Sequence, residues 1–197
     1  MYPSGVDDHA RSLTQTSDGG YVLAGHMQPP NDTYHHAYIV KVDASGNMQW
    51  NKTYAGAYTD EAHDILQASD GGYVVAGMTS PTNASNRFWV FKVDASGNLQ
   101  WNKTYGGPYN DNAWSLVQTS DGGYAIAGYN ASIGDALLVR TDSNGNQIWS
   151  KTYGGPGNDT ANSVVEASDG GYVLAGSTDS YGAGKNDFWL VRTKGLW

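Results

Sequence analysis

The sequence predicts an all-β fold built from four similar sheets, and two observations carry this prediction. The ten residues TSDGGYVLAG at 16–25 return in closely related form at 68–77, 119–128 and 167–176, so the chain repeats with a period of about 50 residues. Each repeat holds four short apolar or aromatic segments separated by Gly, Asn, Asp and Ser, a pattern typical of strands joined by tight turns. No segment has the length or the 3.6-residue apolar period of a helix.

The second repeat shows the predicted elements in order. Its first strand, AHDILQAS, is followed by a DGG turn, where glycines accept positive φ, and by the β-branched second strand YVVAGM. The loop TSPTNASN leads to the third strand RFWVFKVD, and the turn ASGN leads to the fourth strand LQWNKTY. Short strands with short connections in this order indicate a four-stranded antiparallel meander.

One repeat alone cannot bury its apolar side chains, but several stacked repeats can. A single meander exposes both of its faces, whereas similar sheets arranged around an axis cover one another. The sequence therefore predicts one domain over residues 1–197, an all-β, four-bladed β-propeller with four-stranded antiparallel blades. Its repeats run approximately over residues 5–54, 56–105, 106–153 and 154–197.

The frame of the two chain ends predicts how the ring closes. Tyr2 stands six residues before Asp8, like the tyrosines that end the other fourth strands, and Trp197 aligns with Trp50 at the start of a fourth strand. We therefore expect the termini to lie close together in a closed four-bladed monomer. The alternative is a homodimer in which each chain forms half of an eight-bladed ring. Small residues on the inner strands suit tight closure, namely Ala10, Ala62, Ala113 and Ala161.

Three further segments carry a resemblance to a known family. KVDASGNMQW (41–50), KVDASGNLQW (92–101) and RTDSNGNQIW (140–149) resemble the tryptophan-docking pattern of PQQ-like propeller repeats, and the DGGY segments are similar to the DGGY-type repeats of bacterial and archaeal surface and secreted proteins. The resemblance implies that the first strand of each blade is innermost. It also implies that a tryptophan wedges between adjacent blades, at Trp50, Trp101 and Trp149. The fourth repeat departs from the pattern, because RTKGLW shortens the turn.

Other propeller families fit less well, and the quinone chemistry does not carry over. A kelch or WD40 blade is the structural alternative, but the Gly-His and Trp-Asp dipeptides of WD40 repeats are missing from the sequence. The residues that hold the cofactor of quinone enzymes are also missing, so we expect no cofactor. The resemblance therefore concerns the fold and says little about function.

Composition excludes several classes of function. Charged residues make up only 15% of the 197 residues and the net charge is −8, which disfavours nucleic acid and anionic membranes as partners. The chain has no cysteine and no apolar run of the roughly 20 residues that a membrane helix needs, so we expect no membrane insertion. The start MYPSGVDD lacks the features of a signal peptide. Asn-x-Ser/Thr sequons and the family resemblance favour an extracellular or cell-surface location.

One face of the predicted propeller is better suited to recognition than the other. The turns SDGG and ASGN share one face and hardly vary between repeats. The loops HMQPPNDTYHHA, MTSPTNASNRF, YNASIGDA and STDSYGAGKNDF share the opposite face and differ in length and chemistry. Loops free of a common structural demand are where binding residues concentrate. The alternative is simple drift of solvent-exposed loops.

A repeated aspartate predicts a metal site near the mouth of the channel on that variable face. Clustered carboxylates suit a hard cation, so the candidate is a cation in the central channel. The alternative is that each carboxylate accepts backbone N–H bonds within its own inter-blade loop. The four residues, each in the frame Asp-x-Ala at the entry to a first strand, are Asp8, Asp60, Asp111 and Asp159.

The third residue after each of these aspartates differs in every repeat and forms the candidate ligand-binding set. A cation, an imidazole, an indole and an amide near one mouth could line a small polar pocket of the kind that binds sugars. The alternative is four unrelated surface residues. The set consists of Arg11, His63, Trp114 and Asn162.

Histidines offer a weaker metal candidate. His26, His35 and His36 lie in or beside one loop, with His9 near in the repeat frame, and imidazoles bind transition metals. A loop that carries two prolines is poorly organised for this purpose, so the sequence does not favour metal binding there.

These observations favour a non-enzymatic extracellular binding or adhesion propeller that recognises a glycan or a protein through its variable face. The alternative is a structural scaffold, natural or engineered from a consensus, with no ligand of its own. A hydrolase or lyase is the third hypothesis. It lacks support because no nucleophile or phosphate-binding motif with local mechanics occurs in the sequence.

Overall fold

The computed structural model describes residues 7–56, 58–83 and 85–195, which form fifteen strands in four antiparallel sheets. In each sheet the strands are neighbours in sequence order. Blade 1 comprises β1 (Asp7–Gln15), β2 (Tyr21–Gln28), β3 (His36–Val42) and β4 (Met48–Tyr54). Blade 2 comprises β5 (Asp60–Gln67), β6 (Tyr73–Thr82), β7 (Ser85–Val93) and β8 (Leu99–Tyr105). Blade 3 comprises β9 (Asn112–Gln118), β10 (Tyr124–Asn130), β11 (Asp135–Thr141) and β12 (Gln147–Tyr153), and blade 4 comprises β13 (Asp159–Glu166), β14 (Tyr172–Thr178) and β15 (Asp187–Arg192).

This arrangement confirms the predicted all-β fold of propeller blades, with three described strands in the last blade. Contacts between blades run through β1, β5, β9 and β13, so the first strand of each blade is innermost. The described ranges contain no helix that is long and apolar enough to span a membrane. The predicted closeness of the termini concerns residues 1–6 and 196–197, which lie outside the described residues.

The repeated SDGG turn needs both of its glycines, for different reasons. The first glycine of each turn has φ between 75° and 86°, in the left-handed region that glycine enters without a steric penalty. The second glycine lies against the backbone of the third strand, and a Cβ on Gly72 would stand 2.5 Å from the carbonyl oxygen of Val93. Side chains other than hydrogen are therefore excluded at the second position by contact.

A cation in the third strand pairs with the aspartate of each of these turns, and in blades 1 to 3 this cation is buried. Lys41 is 3% exposed, and its Nζ donates to both carboxylate oxygens of Asp18 and to the carbonyl of Val42. Buried ammonium groups require such partners, because an unpaired charge in the interior is costly. Equivalent pairs recur in the other blades between Lys92 and Asp70, Arg140 and Asp121, and Arg192 and Asp169, although the side chain of Arg192 is 54% exposed.

The tryptophan docking implied by the family resemblance is present in the structure. Trp101 of blade 2 covers the turn of blade 3, where a Cβ on Gly145 would stand 2.9 Å from the indole. Its ring centroid lies 6.1 Å from that of Tyr124. Trp50 takes the same position on Gly97 and Tyr73, and Trp149 lies beside Tyr172. Each indole thus joins its own blade to the next one.

Three apolar cores join the four blades in series. One face of blades 1, 2 and 3 packs against the opposite face of the following blade, and both sets of side chains are withdrawn from water. Representative buried members of the three cores are Ile39 with Phe91, Phe88 with Ile126, and Leu138 with Leu174.

The first and last blades do not pack on each other in this way. Over the described ranges, extensive strand contacts join blades 1 and 2, 2 and 3, and 3 and 4, whereas none of that extent joins blade 4 to blade 1. Phe188 of blade 4 is fully exposed, Leu190 is 67% exposed, and Leu13 of blade 1 is 63% exposed. Over the described residues the four blades therefore form an open arc, and the closed ring expected from the sequence is not seen there.

Candidate functional site

A β-bulge recurs at the same place in the innermost strand of every blade. In β5, Ala62 pairs with Gly77 and Asp64 pairs with Ala76, so His63 between them has no partner in the ladder. Bulges insert one unpaired residue, bend the strand and redirect that side chain. The unpaired residues of the four bulges are Arg11, His63, Trp114 and Asn162.

A glycine in the second strand lies opposite each bulge, and its lack of a side chain leaves room for the bulged backbone of the first strand. A Cβ on Gly77 would overlap the carbonyl oxygen of Glu61, and the glycines at 25, 128 and 176 are in the same position in their blades. The invariant Ala-Gly that ends each ten-residue repeat thus accommodates the bulge of the neighbouring strand.

The four bulge residues converge on one cavity. The cavity has a volume of about 400 Å³ and is lined by Ala10 and by the four predicted ligand-binding residues Arg11, His63, Trp114 and Asn162. The structure therefore brings together residues from all four blades that are about 50 positions apart in sequence. We refer to this cavity as the bulge pocket.

Two of the pocket residues are held rigidly across a blade boundary. The rings of His63 and Trp114 stack with centroids 4.4 Å apart and 20° between their planes. The Nδ1 atom of His63 lies 2.8 Å from the carbonyl oxygen of Ala113, so this nitrogen carries a proton and donates it. The imidazole thus has a fixed orientation, and its Nε2 atom points towards Glu61 at 3.4 Å.

Glu61 connects the bulge pocket to a group of histidines between blades 1 and 2. Its side chain is only 14% exposed, and it accepts from Arg11 Nη2 at 2.9 Å and contacts His35 Nδ1 at 3.0 Å. Burial opposes ionisation of this carboxyl group, but hydrogen bonds from His63 and His35 and the charges of His26 and Arg11 outweigh that effect. Together they lower the pKa of Glu61 to about 2.

The histidines around Glu61 form a compact cluster. His26 stacks on His35 with ring centroids 4.4 Å apart and lies 5.1 Å from the ring of His9. His26 is 4% exposed, and its Nδ1 atom has no hydrogen-bond partner among the described residues, although it lies 3.9 Å from Glu61 Oε2. Burial lowers the pKa of His26. His36 is not part of this cluster, because its Nε2 atom pairs with Asp32 at 3.2 Å.

Three metal-ligating atoms come together in this cluster. One atom from each of His26, His35 and Glu61 lies within 4.8 Å of the other two. Sequence reasoning identified the histidines but missed Glu61 as their centre. A usable signal was that Glu61 departs from its repeat, where the other blades carry His9, Asn112 and Thr160.

The repeated aspartates have separate partners in separate turns. The backbone N–H of Gly56 donates to Asp60, those of Gly107 and Ala131 donate to Asp111, and that of Gly155 donates to Asp159. Asp8 is exposed at the start of β1. These contacts fit an aspartate that closes its own inter-blade loop. Cation binding by this set stays a prediction that its geometry does not favour.

Comparison with known proteins supports the fold alone. No protein-family model matches the sequence, and the curated protein sequences contain no significant match. A crystal structure of a protein of unknown function from Bacteroides caccae superposes with a TM-score of 0.56 at 14% identity, over 89% of this chain and 56% of its own. A protein of unknown function from Dyadobacter fermentans superposes with a TM-score of 0.62 at 13% identity, over 89% of this chain and 58% of its own. The chain thus spans little more than half the length of these two structures.

Proposed function

We propose that the protein is a non-enzymatic binding module whose bulge pocket takes a neutral sugar, such as the terminal residue of a glycan. The observation that carries the proposal is the convergence of Arg11, His63, Trp114 and Asn162 on one cavity. The scaffold around them repeats, whereas these four positions differ in every blade. A purely structural role for the bulges would not require four different side chains at one place.

The chemistry of the pocket suits a neutral, polyhydroxylated ligand. An indole offers an apolar face to the C–H groups of a sugar ring, and guanidinium and amide groups can bind its hydroxyls. The charge of Arg11 is balanced by Glu61, so an anion gains little there. A volume of about 400 Å³ falls within the range of small-ligand sites, roughly 300–1,000 Å³.

The finer family assignment and the location are part of the same proposal. The docked tryptophans and the DGG turns support a place among PQQ-like or DGGY-type propellers, whose surface and secreted members favour an extracellular role. A protein partner recognised by the variable loops is the second form of this proposal. It has less support, because the pocket residues lie in the first strands of the blades rather than on the loops.

A glycan array followed by calorimetry tests the sugar form of the proposal. We expect at least one neutral glycan to bind, and we expect Trp114→Ala to weaken it by about tenfold or more, since aromatic contacts contribute about 1 kcal/mol beyond area burial. The matched control is Tyr109→Ala, because Tyr109 is 62% exposed and does not line the pocket. Absence of binding to every glycan, or equal loss in both variants, would favour the alternative of a scaffold without its own ligand.

A further inference from the structure

We propose that His26, His35 and Glu61 form a binding site for a divalent transition-metal ion such as Zn²⁺. Two imidazoles and a carboxylate are the donor set that such ions prefer, and the three ligand atoms already lie within 4.8 Å of one another. The site lies between blades 1 and 2 and does not depend on the sugar proposed for the bulge pocket.

The buried ring of His26 is the independent observation that points to a ligand. A buried imidazole nitrogen normally has a hydrogen-bond partner, since an unpaired polar atom in the interior is costly. The Nδ1 atom of His26 has none among the described residues, yet it faces the carboxylate of Glu61 at 3.9 Å. A metal ion bound to Glu61 would give the Nδ1 atom of His26 the partner that it lacks.

The distances need only a small adjustment to hold a metal. Ligands about 2.0–2.2 Å from a tetrahedral ion lie about 3.3–3.6 Å from one another. The separation of 3.0 Å between His35 Nδ1 and Glu61 Oε1 is close to this range, and the separation of 3.9 Å at His26 must shorten. His63 Nε2, at 3.4 Å from Glu61 Oε2, is the nearest side-chain candidate for a fourth position.

Arg11 competes with the metal for the same carboxylate. Its guanidinium donates to Glu61 Oε2, but its side chain is 42% exposed and can turn towards solvent. We therefore expect Arg11→Ala to bind metal at least as tightly as the natural chain, although the same change weakens the proposed sugar site. This opposite response keeps the two proposals separate.

Calorimetric titration of the metal-stripped full chain with Zn²⁺, and visible spectroscopy with Co²⁺, test the site. We expect one ion per chain, a tetrahedral Co²⁺ spectrum, and a loss of affinity of at least tenfold in Glu61→Gln and His35→Ala. His35 is partly exposed, so its variant should fold even if His26→Ala does not. The control is His36→Ala, because His36 pairs with Asp32 outside the cluster. Absence of binding, or binding that Glu61→Gln and His36→Ala reduce equally, would overturn the proposal.

A second inference rests on the two uncovered end faces of the arc. We infer that two copies of the chain associate head to tail, with the end face of blade 4 in one copy packed on the end face of blade 1 in the other. Both faces carry the residues that join neighbouring blades inside the chain, so the interface continues one that already exists three times.

The exposed residues of the two end faces occupy the positions that are buried between neighbouring blades elsewhere in the chain. Leu190 is 67% exposed, whereas its counterparts Ile39, Val90 and Leu138 are fully buried against the next blade. On the opposite side, Leu13 is 63% exposed, whereas its counterparts Ile65, Leu116 and Val164 are buried against the preceding blade. Exposed apolar patches of this kind mark interaction surfaces.

A second copy is the occupant that both faces fit at once. Joining blade 4 to blade 1 of the partner, and the partner's blade 4 to blade 1, gives two identical contacts related by a two-fold axis. The product is an eight-bladed ring without exposed end faces.

Light scattering after gel filtration tests the pairing. We expect a species of twice the chain mass of 21.1 kDa, and a shift to the monomer in Leu190→Asp. The control is Leu99→Asp, because Leu99 is 54% exposed on the outer strand β8, away from both end faces, and this variant should remain a dimer. A natural chain that stays monomeric at 100 µM, or a dimer that Leu190→Asp leaves intact, would overturn the inference. Circular dichroism confirms that each variant is folded.

Discussion

His35 and Glu61 belong to different blades, yet their side chains meet at 3.0 Å across the boundary between blades 1 and 2. The contact places a carboxylate, 14% exposed, among four hydrogen-bonding or charged neighbours. Its ionisation is therefore coupled to the packing of the first two blades, which gives the first prediction.

Stability should fall with pH in a defined acidic window because of Glu61. The pKa of Glu61 is about 2 in the folded chain and about 4.5 when unperturbed, so the unfolded chain binds the proton more readily between these values. The stabilisation is complete above about pH 5 and is lost as the pH falls from about 4.5 to about 2. A shift of this size corresponds to at most about 3–4 kcal/mol. Urea unfolding with a chelator present should show this slope in the natural chain and a weaker one in Glu61→Gln.

The two glycines of the SDGG turn should differ in their sensitivity to alanine. Gly72→Ala forces a Cβ against the carbonyl oxygen of Val93, and we expect a loss of about 3 kcal/mol or more in unfolding free energy. Gly71→Ala meets no atom within 4 Å but must keep φ at 84°, so we expect about 1–2 kcal/mol. Gly184→Ala, in open space, is the control. Equal losses in the first two variants would contradict this account.

The docked tryptophan of blade 2 should stabilise the fold through the packing of its ring rather than through its N–H group. Trp101→Ala removes the ring that covers Gly145, and we expect a loss of about 3 kcal/mol. The indole nitrogen of Trp101 is buried without a hydrogen-bond partner among the described residues, so Trp101→Phe should cost about 1.5 kcal/mol or less. Chemical denaturation separates the two outcomes, and a phenylalanine variant as unstable as the alanine variant would contradict the role assigned to the ring.

Replacing the half-buried carboxylate of Asp135 by its amide should stabilise the chain. Burial and the charge of Asp159 raise the pKa of Asp135, whose Oδ1 atom lacks a partner among the described residues. Asp135→Asn removes the repulsion, and we expect a gain of about 1 kcal/mol at pH 7. Because the pKa of Asp135 is raised on folding, its proton stabilises the native state at lower pH. The gain should therefore shrink as the pH falls towards 4, as measured by urea unfolding across that range.

Much of the fold follows from local chemistry that the sequence displays directly. The turn needs φ near 84° at Gly71 and has no room for a side chain at Gly72, so it requires a Gly-Gly pair that is visible in the sequence. The fourfold repetition of this pair defines the blades. The bulge residues could also be found, because each follows an alanine that is the same in all four repeats and yet differs from blade to blade. The ion pair between Lys41 and Asp18 was missed, since the two residues lie 23 positions apart and no local rule joins them.

The histidine site was less accessible to sequence reasoning. His26 lies in β2 and His35 lies directly before β3. The pairing of these two strands, rather than the loop between them, therefore fixes the positions of the two histidines. Their partner Glu61 comes from the next blade, and only the packing of blades brings it near. Closure of the ring could not be predicted from the sequence either. The alignment of the chain ends with the repeats shows which strands correspond, but it does not determine the angle between neighbouring blades.

Because of the bulges, the residues that pair the strands differ from the residues that line the pocket. Because Arg11, His63, Trp114 and Asn162 stand outside the hydrogen-bonded ladder, each can change without shifting the pairing of its strand. Duplication of a blade therefore adds one more adjustable side chain to a common cavity while the rest of the sheet stays fixed. A combinatorial library randomised at these four positions would be expected to retain folding in most members and to sample many ligand specificities, so the scaffold is a natural starting point for directed evolution of new binders.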